Sequence, residues 1–548
     1  MHWNVLFQCI LYIIFMAARV FPDSFKRMRM GEFMTLYDKV NLLVRYCAQH
    51  QSHGFMMDER NTDESFHVSL PQEEQIRSSI HQIRVIILTG EAGDGKSRIL
   101  RNIGPLLTDC GFGEPCRDFS ALPEEKKKAL IVRLRQVLDG KSDEKLMILA
   151  NVGVFTQTAI RYDIHLMEEL TNGREDVFIC NFEKRNLAED KAVFGSIVSR
   201  FLLYDQPCAN RDCICFADCA YRNNIEKLLT DSGIEGLRTI CNAIYLTGGH
   251  LTFRELLSLL AYAVTFGQDC GQRVRCIAEG GVRERFLYYN IFEKSSDVLL
   301  HKIADMDPAL KRGTCRTDIQ TSSDYIRHRR RQFFAEQDKQ YEMLRVDYLP
   351  EFYAVLTYMN QRPYHYDVSR DKNEILRMLK RGINKMSSQG RSDAGLVVTD
   401  TPPIFDGRIR VEFLGLADVA LIWNRYDLRA GQAADGERLW NRFCLSYMVS
   451  TKRGKELISL VIDYRLFCYL MMCSQDYFMN RNASSTEENV VNTFYRKILQ
   501  QKEQIYSSIV IRFEEKNEEI CDFSLHVHAE EDLFSGETTR SIRIRKED

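Results

Sequence analysis

The feature that most constrains the fold is a glycine-rich stretch near the start of the chain, which reads RVIILTGEAGDGKSRIL over residues 84–100. The aliphatic run at residues 85–88 predicts a buried strand. Residues 90–97 fit the spacing G-x-x-x-x-G-K-[ST], and residues 97–103 can form a helix until Gly104 and Pro105 interrupt it. A strand, a glycine-rich loop and a helix in this order bring the loop to a helix N-terminus, where backbone N–H groups attract anions.

Each part of this loop has an expected role in holding a nucleoside triphosphate. Glycines allow the backbone N–H groups to curl around phosphate oxygens, Lys96 brings a positive charge to the β and γ phosphates, and Ser97 can ligate Mg²⁺. A glycine-rich turn that matches the spacing by chance is the alternative. The predicted ligand is ATP with Mg²⁺, and the predicted binding residues are Gly90, Glu91, Ala92, Gly93, Asp94, Gly95, Lys96 and Ser97.

The segments after the loop alternate between helical and strand-like patterns, which is typical of a parallel α/β sheet. Residues 121–138 are amphipathic, residues 145–150 (KLMILA) read as a strand, residues 154–170 as a helix, and residues 177–182 (VFICNF) as another strand. We therefore expect the α/β core of an NTPase. Such sheets bind their ligands at the carboxyl ends of the strands.

Three polar residues near that edge, and one on a later helix, are candidate catalytic residues. Asp118, in PCRDFSAL, can hold Mg²⁺ or orient a water, or can simply cap a helix. Asn151, in LMILANVG, can sense the γ-phosphate or form a turn. Arg185, in NFEKRNL, can reach a phosphate in its own or a neighbouring subunit, or lie in solvent. Arg254 begins a helix predicted by HLTFRELLSLLAYAV with Thr252 as N-cap, and can point back to the nucleotide from a helical lid or face solvent.

A cluster of cysteines in CANRDCICFADCAYRNN is a candidate metal site, made of Cys208, Cys213, Cys215 and Cys219. Four thiolates this close together can form a tetrahedral Zn²⁺ site. The spacing C-x4-C-x-C-x3-C differs from paired C-x2-C motifs, so an iron–sulfur cluster and simple packing of small apolar side chains remain alternatives.

Three of these features together, GEAGDGKS, ILANVG and the cysteine cluster, resemble the P-loop ATPases of prokaryotic defence systems, and in particular the DptF-type subunits of DNA phosphorothioation-dependent restriction. Lys96, Ser97 and Asn151 match that pattern within about residues 80–265. The resemblance implies a cytoplasmic ATPase with an AAA+ or STAND-like core and a helical lid, which acts with protein partners, among them a helicase-like motor. RDFSAL and the lid segment depart from the pattern, so a sister family of defence or regulatory ATPases stays open.

Composition limits the other function classes. The 74 basic and 76 acidic residues give a net charge of −2, which is no global signature of nucleic-acid binding. DNA contact would need a local patch, and IRHRRRQFFAEQDKQ offers one in Arg327, Arg329, Arg330 and Arg331, with a solvated helix face as the alternative. The 17 scattered cysteines beside a nucleotide-type loop favour a reducing cytosol. A motor or switch within a defence assembly is the expected function, a regulatory nucleotide sensor with little turnover is the alternative, and a homo-oligomer is compatible with both.

The length of 548 residues predicts several domains. The apolar run at residues 5–18 is shorter than the roughly 20 residues of a membrane-spanning helix, so we expect no stable membrane association. An upstream extension of the gene, a buried helix and a membrane or export segment are the explanations left open for it. The expected regions are 1–30, this apolar extension; 31–200, the P-loop NTPase domain; 201–275, the cysteine cluster and helical lid; 276–390, a helical region; and 391–548, a mixed α+β region with strands and a helix over 457–472.

Overall fold

The fold was analysed on a computed structural model of the chain. The structure describes residues 35–51, 68–171, 174–208, 210–281, 284–294, 297–311, 321–336, 339–361, 370–386, 396–398, 404–406, 409–417, 420–422, 441–451, 454–475, 485–500, 508–515, 518–531 and 538–547. The apolar run at residues 5–18 lies outside these residues. Within them, every helix falls short of the length and apolar character that crossing a membrane requires.

The predicted parallel sheet is confirmed. Its strands are β1 (Val85–Thr89), β2 (Leu146–Ala150) and β3 (Val177–Asn181), in the order β2-β1-β3, and both neighbours of β1 run parallel to it. Residues 112–119 extend the sheet beyond β2, because Cys116 donates its backbone N–H to the carbonyl oxygen of Met147 at 2.9 Å and forms an isolated parallel bridge with Ile148. The chain segment that carries Asp118 therefore runs beside β2 as a rudimentary strand.

Helices cover both faces of this sheet. One face is covered by α2 (Pro71–Ser79) and α3 (Lys96–Asp109), which follow α1 (Leu36–Gln51) in the chain. The other face is covered by α4 (Glu124–Leu138), α5 (Val152–Tyr162) and α6 (Leu166–Thr171). Successive side chains of a strand point to opposite faces, so a strand covered on both sides is apolar throughout. All five residues of β1 and of β2 are accordingly buried.

Two helix boundaries differ from the sequence prediction. The first helix after the loop does not stop at Gly104 and Pro105 but continues to Asp109, since its later apolar residue Leu107 is buried against the sheet. The predicted helix over residues 154–170 is split at Asp163, which has extended backbone angles and accepts a hydrogen bond from Arg135 Nε at 2.5 Å. In both cases a tertiary contact outweighs local propensity.

A helical region follows, as predicted, and α1 packs against it through α10. Thr252 caps α10 in a reciprocal capping box with Glu255, which confirms the predicted N-cap. These helices share one large hydrophobic core with parts of the C-terminal region. They are α7 (Lys191–Leu202), α8 (Ala220–Leu228), α9 (Asp231–Leu246), α10 (Phe253–Thr265), α11 (Cys270–Ala278), α12 (Val298–Asp305), α13 (Ser322–Phe333), α14 (Gln340–Met343), α15 (Leu349–Gln361) and α16 (Arg370–Met386).

The C-terminal region is mixed α and β. The described strands form a six-stranded antiparallel sheet along the path β12-β11-β10-β6-β4, with β5 beside β6, and a three-stranded antiparallel sheet β7-β8-β9. The helix predicted over residues 457–472 is wrong in its first half, because the β-branched residues there pair with β8 and only the second half is helical. The bounds are β4 (Leu396–Val398), β5 (Ile404–Asp406), β6 (Ile409–Ala417), β7 (Ala420–Ile422), β8 (Arg442–Thr451), β9 (Gly454–Asp463), α17 (Tyr464–Ser474), α18 (Ser485–Leu499), β10 (Ser508–Glu515), β11 (Glu518–Glu531) and β12 (Thr538–Glu547).

Candidate functional site

The carboxyl ends of the parallel strands define the candidate site. Thr89 at the end of β1 pairs in register with Ala150 of β2 and with Asn181 of β3. The turns that follow these strands therefore begin side by side at one edge of the sheet. They carry the glycine-rich loop, Asn151 and the segment before Arg185, so the strand register alone brings three predicted site segments together.

At three positions, the loop from Gly90 to Ser97 has backbone angles that only glycine adopts easily. Gly90, Gly93 and Gly95 have φ angles of 147°, 102° and 90°. A Cβ atom on Gly90 would lie 2.6 Å from Asp94 Oδ2, so the loop is also too tight for a side chain there. Gly95 is the N-cap of α3 and gives it no side-chain cap, so that the N-terminus of α3 is available to an anion.

The side chain of Lys96 folds back over the loop that precedes it. Its ammonium donates to the carbonyl oxygens of Gly90 at 2.6 Å and Glu91 at 2.7 Å. Burial lowers the pKa of Lys96, and neighbouring carboxylates offset part of that effect. The carboxylates that act on it belong to Asp94, Glu183, Asp118 and Glu91.

Asp94 is the centre of the contacts that hold the loop. Its side chain is fully buried, and its Oδ2 accepts the N–H of Glu91 at 2.6 Å. Its Oδ1 lies 2.9 Å from Nε2 of His250, which comes from the segment before α10. Its backbone carbonyl accepts a hydrogen bond from Arg185 Nη2 at 2.8 Å. Residues from the end of β3 and from the helical region thus converge on one loop residue.

Arg185 lies beneath the loop rather than in open solvent. Its guanidinium stacks over the Phe182 ring at 4.6 Å from the ring centre, and burial lowers its pKa to about 10. Its Nε and Nη1 atoms are buried and have no hydrogen-bond partner among the described residues. A buried donor without a partner costs about 1–3 kcal/mol, which is common at sites that bind a ligand or store strain.

Arg254 contacts the loop from the first turn of α10. Its backbone N–H donates to the carbonyl oxygen of Gly93 at 3.1 Å, and a Cβ atom on Gly93 would lie 3.0 Å from Arg254 Cβ. The side chain is exposed. The helical region therefore touches the loop directly, and Arg254 extends beside it.

Asp118 and Asn151 occupy neighbouring exposed turns that share Ser120. Asp118 Oδ1 accepts the N–H groups of Ser120 at 3.0 Å and Ala121 at 3.2 Å. The N–H of Asn151 donates to Ser120 Oγ at 3.0 Å, and Asn151 Oδ1 accepts the N–H of Val154 at 3.3 Å and caps α5. Asp118 therefore closes a turn rather than capping a helix, since α4 begins after Pro123, and Asn151 caps α5.

Two further residues belong to this edge that the sequence analysis did not select. Glu183 follows β3, and burial together with the charges of Glu91 and Asp94 raises its pKa. Its position directly after a predicted strand was a usable signal. His250 carried no usable signal, since a single histidine before a helix cap has no pattern, and its pairing with Asp94 spans 156 residues.

The cysteine cluster has a different composition from the one predicted. Cys208, Cys213, Cys215 and Cys219 are free thiols that line one cavity, and Cys270 at the start of α11 lines it with them. The pKa of Cys270 is raised to about 12, mainly by burial and to a smaller extent by the proximity of three of these thiols. Across the described part of the chain, no three His, Cys, Asp or Glu side chains are arranged to hold a metal ion as they stand. Zinc binding therefore stays a prediction, to which the structure adds Cys270.

The basic stretch on α13 does not form the exposed patch that DNA contact would need. Arg329 and Arg330 are 6% and 9% exposed, so both are buried. Arg330 donates from Nε and Nη2 to Asp307 Oδ2, at 3.0 and 2.7 Å. The expectation that these two arginines face a phosphate backbone is therefore wrong. The buried carboxylate of Asp307, from a preceding turn, pairs with Arg330, and the helix core encloses Arg329.

The remaining members of the stretch also have partners within the protein. Arg331 stacks over the Tyr289 ring at 4.7 Å from its centre and donates to its hydroxyl at 3.1 Å. Arg327 is partly exposed and lies 3.3 Å from the carboxylate of Glu284. Phe333 and Phe334, which follow these arginines in the same stretch, are fully buried.

The chain matches no protein-family model, no curated protein and no solved structure.

Proposed function

We propose that this protein binds ATP with Mg²⁺ at the loop of residues 90–97 and hydrolyses it, as an NTPase with a P-loop core and a helical lid. One observation carries the proposal: the loop joins the central parallel strand β1 to the N-terminus of α3 at the edge where β2 and β3 also end. Left-handed glycines, an uncapped helix N-terminus and a lysine at this position are the components of a phosphate site.

In this proposal the loop backbone and α3 hold the phosphates, and Lys96 exchanges its bonds to the carbonyls of Gly90 and Glu91 for bonds to phosphate oxygens. Ser97 and Asp118 would hold Mg²⁺, which when bound neutralises charge on the phosphate oxygens. Asn151 would orient the attacking water or contact the terminal phosphate. Arg185 and Arg254, which already contact the loop, would add positive charge to it.

The biological setting is proposed on the resemblance of the sequence motifs alone. We place the protein in the prokaryotic cytoplasm as the ATPase subunit of a DNA restriction or antiviral defence system, acting with protein partners as motor or switch. The contacts between the loop and the helical region fit such a role, because a change at the loop reaches the helices without an intervening linker.

A nucleotide sensor with little or no turnover is a second candidate, and the geometry of Asp118 favours it. Asp118 Oδ1 is occupied by two turn N–H groups, and its segment pairs with β2 only through isolated bridges. An acid held in this way would bind Mg²⁺ less rigidly than one at the end of a complete strand.

Calorimetry of ATP binding together with phosphate release, with and without Mg²⁺ and with and without DNA, tests both candidates. Binding with Mg²⁺-dependent turnover that DNA stimulates supports the motor. Tight binding without turnover supports the sensor. A purified, folded protein that binds neither ATP nor ADP would refute the nucleotide site itself.

A further inference from the structure

The chain at the start of α10 contacts the loop through two residues, His250 before the helix and Arg254 in its first turn. His250 Nε2 lies 2.9 Å from Asp94 Oδ1, and the backbone N–H of Arg254 bonds to the carbonyl of Gly93. Asp94 is fully buried and its other carboxylate oxygen fixes the N–H of Glu91. The shape of the loop between Glu91 and Asp94 therefore depends on a residue from the helical region.

Four carboxylates face the imidazole of His250. The carboxylates that face it are Asp94 and Glu91 of the loop, Glu255 of α10 and Glu183 of the turn after β3. Burial works against the charged imidazole, but the hydrogen bond to Asp94 and these charges outweigh it, so the pKa of His250 is raised. Its Nδ1 atom is buried and has no partner within the described residues, so the contact with Asp94 is what fixes the ring.

We propose that His250 is a positioning residue for the phosphate loop: by binding Asp94 it holds the loop in the form that accepts phosphate, and it couples nucleotide binding to the helical region. The inference rests on the proposed nucleotide site and adds a named residue through which that site is regulated. The protonated imidazole is the stronger partner for a carboxylate and brings a positive charge to a phosphate site lined with carboxylates.

The sign of the pH dependence follows from the raised pKa. Below it, His250 is charged and pairs fully with Asp94; as the pH rises through it, the imidazole becomes neutral and keeps only a neutral hydrogen bond. Nucleotide affinity is therefore expected to fall as the pH rises through the pKa of His250. A glutamine at position 250 can still donate a hydrogen bond but cannot change its charge.

The experiment measures ADP affinity of the full chain by calorimetry from about pH 6 to pH 8.5, a range that brackets the ordinary histidine pKa. His250→Ala is expected to bind about tenfold more weakly at low pH, the loss that follows from removing one charge-assisted hydrogen bond. His250→Gln is expected to keep most of the affinity that the parent shows at high pH, with a flatter pH profile. His301→Ala, which changes an exposed histidine on α12, is the matched control and should retain the parent profile.

The outcomes separate this inference from the proposed function. A parent that binds ADP, together with a His250→Gln variant of unchanged affinity and pH profile, overturns the role of His250 and leaves the nucleotide site standing. A parent that binds neither ADP nor ATP overturns both. Should His250→Ala fail to fold, the pH profile of His250→Gln still decides the question.

Discussion

Polar residues are placed differently in two regions of the molecule: the sheet edge, where β1, β2 and β3 end, and the helical region of residues 191–361. At the sheet edge, Lys96 begins α3 and contacts the loop, while Asp118 and Asn151 lie in exposed neighbouring turns. In the helical region, Arg330 is buried beside Asp307, and the cysteine segment shares its cavity with Cys270. Asp118 and Asn151 thus stay exposed in turns, whereas the packed helices bury Arg330.

The difference teaches which kinds of motif can be interpreted locally. The loop motif can be recognised locally, because its glycines, its lysine and the start of the following helix lie within residues 90–97. A run of charges or cysteines does not fix its partners, since these come from anywhere in the fold.

Arg330→Ala is expected to lower the free energy of unfolding by about 3–5 kcal/mol, because Asp307 would be left buried without its ion-pair partner. Chemical denaturation measures the change. Arg327→Ala, on the same helix but more exposed, should change stability by no more than about 0.5 kcal/mol. Equal effects of the two substitutions would show that the burial of Arg330 has no energetic consequence.

Lys96→Ala is expected to leave the fold intact and to weaken ATP binding on the order of 100-fold, since the ammonium bonds only to loop carbonyls and fills no core. Thermal unfolding and calorimetry on the same sample measure the two effects. Lys141→Ala, an exposed lysine paired with Asp139, is the control and should bind ATP like the parent. A Lys96→Ala variant with the affinity of the parent would remove the basis of the nucleotide site.

Asp118→Asn and Asn151→Ala are expected to keep ATP binding and to slow hydrolysis about tenfold to 100-fold, if these side chains hold Mg²⁺ and orient water as proposed. Single-turnover phosphate release separates hydrolysis from binding. Because both side chains also cap turns, a stability measurement must accompany the rates. Loss of stability with unchanged turnover would leave them only their capping role.

Cys270→Ser is expected to weaken zinc retention at least tenfold if the cavity holds a zinc ion, because thiolates supply the coordination. Metal analysis of protein purified without chelator measures the content, with about one zinc per chain expected for the parent. Cys276→Ser, on the same helix but absent from the cavity lining, is the control. A parent free of zinc would assign these thiols to packing.

The sequence predicted the elements of the sheet well and their contacts poorly. Short apolar runs marked β1 and β2, and Thr252 marked the start of α10, because these signals are local. The strand within residues 457–472 was missed, since its apolar run fits a helix or a strand and only its pairing with β8 decides between them. The site residue His250 was missed for the same reason, as its partner lies far away in the chain.

By itself the sequence determined the loop, the parallel strands around it and the residue types at their ends, because glycine conformation, side-chain alternation and helix capping act over a few residues. Only the tertiary structure decided which charges are buried and which are available. Burial of Arg330 beside Asp307, and of Asp94 beside His250, depends on the low polarity of an interior that forms when distant segments pack. An ion pair in that interior requires a specific partner, and the identity of that partner is a property of the fold.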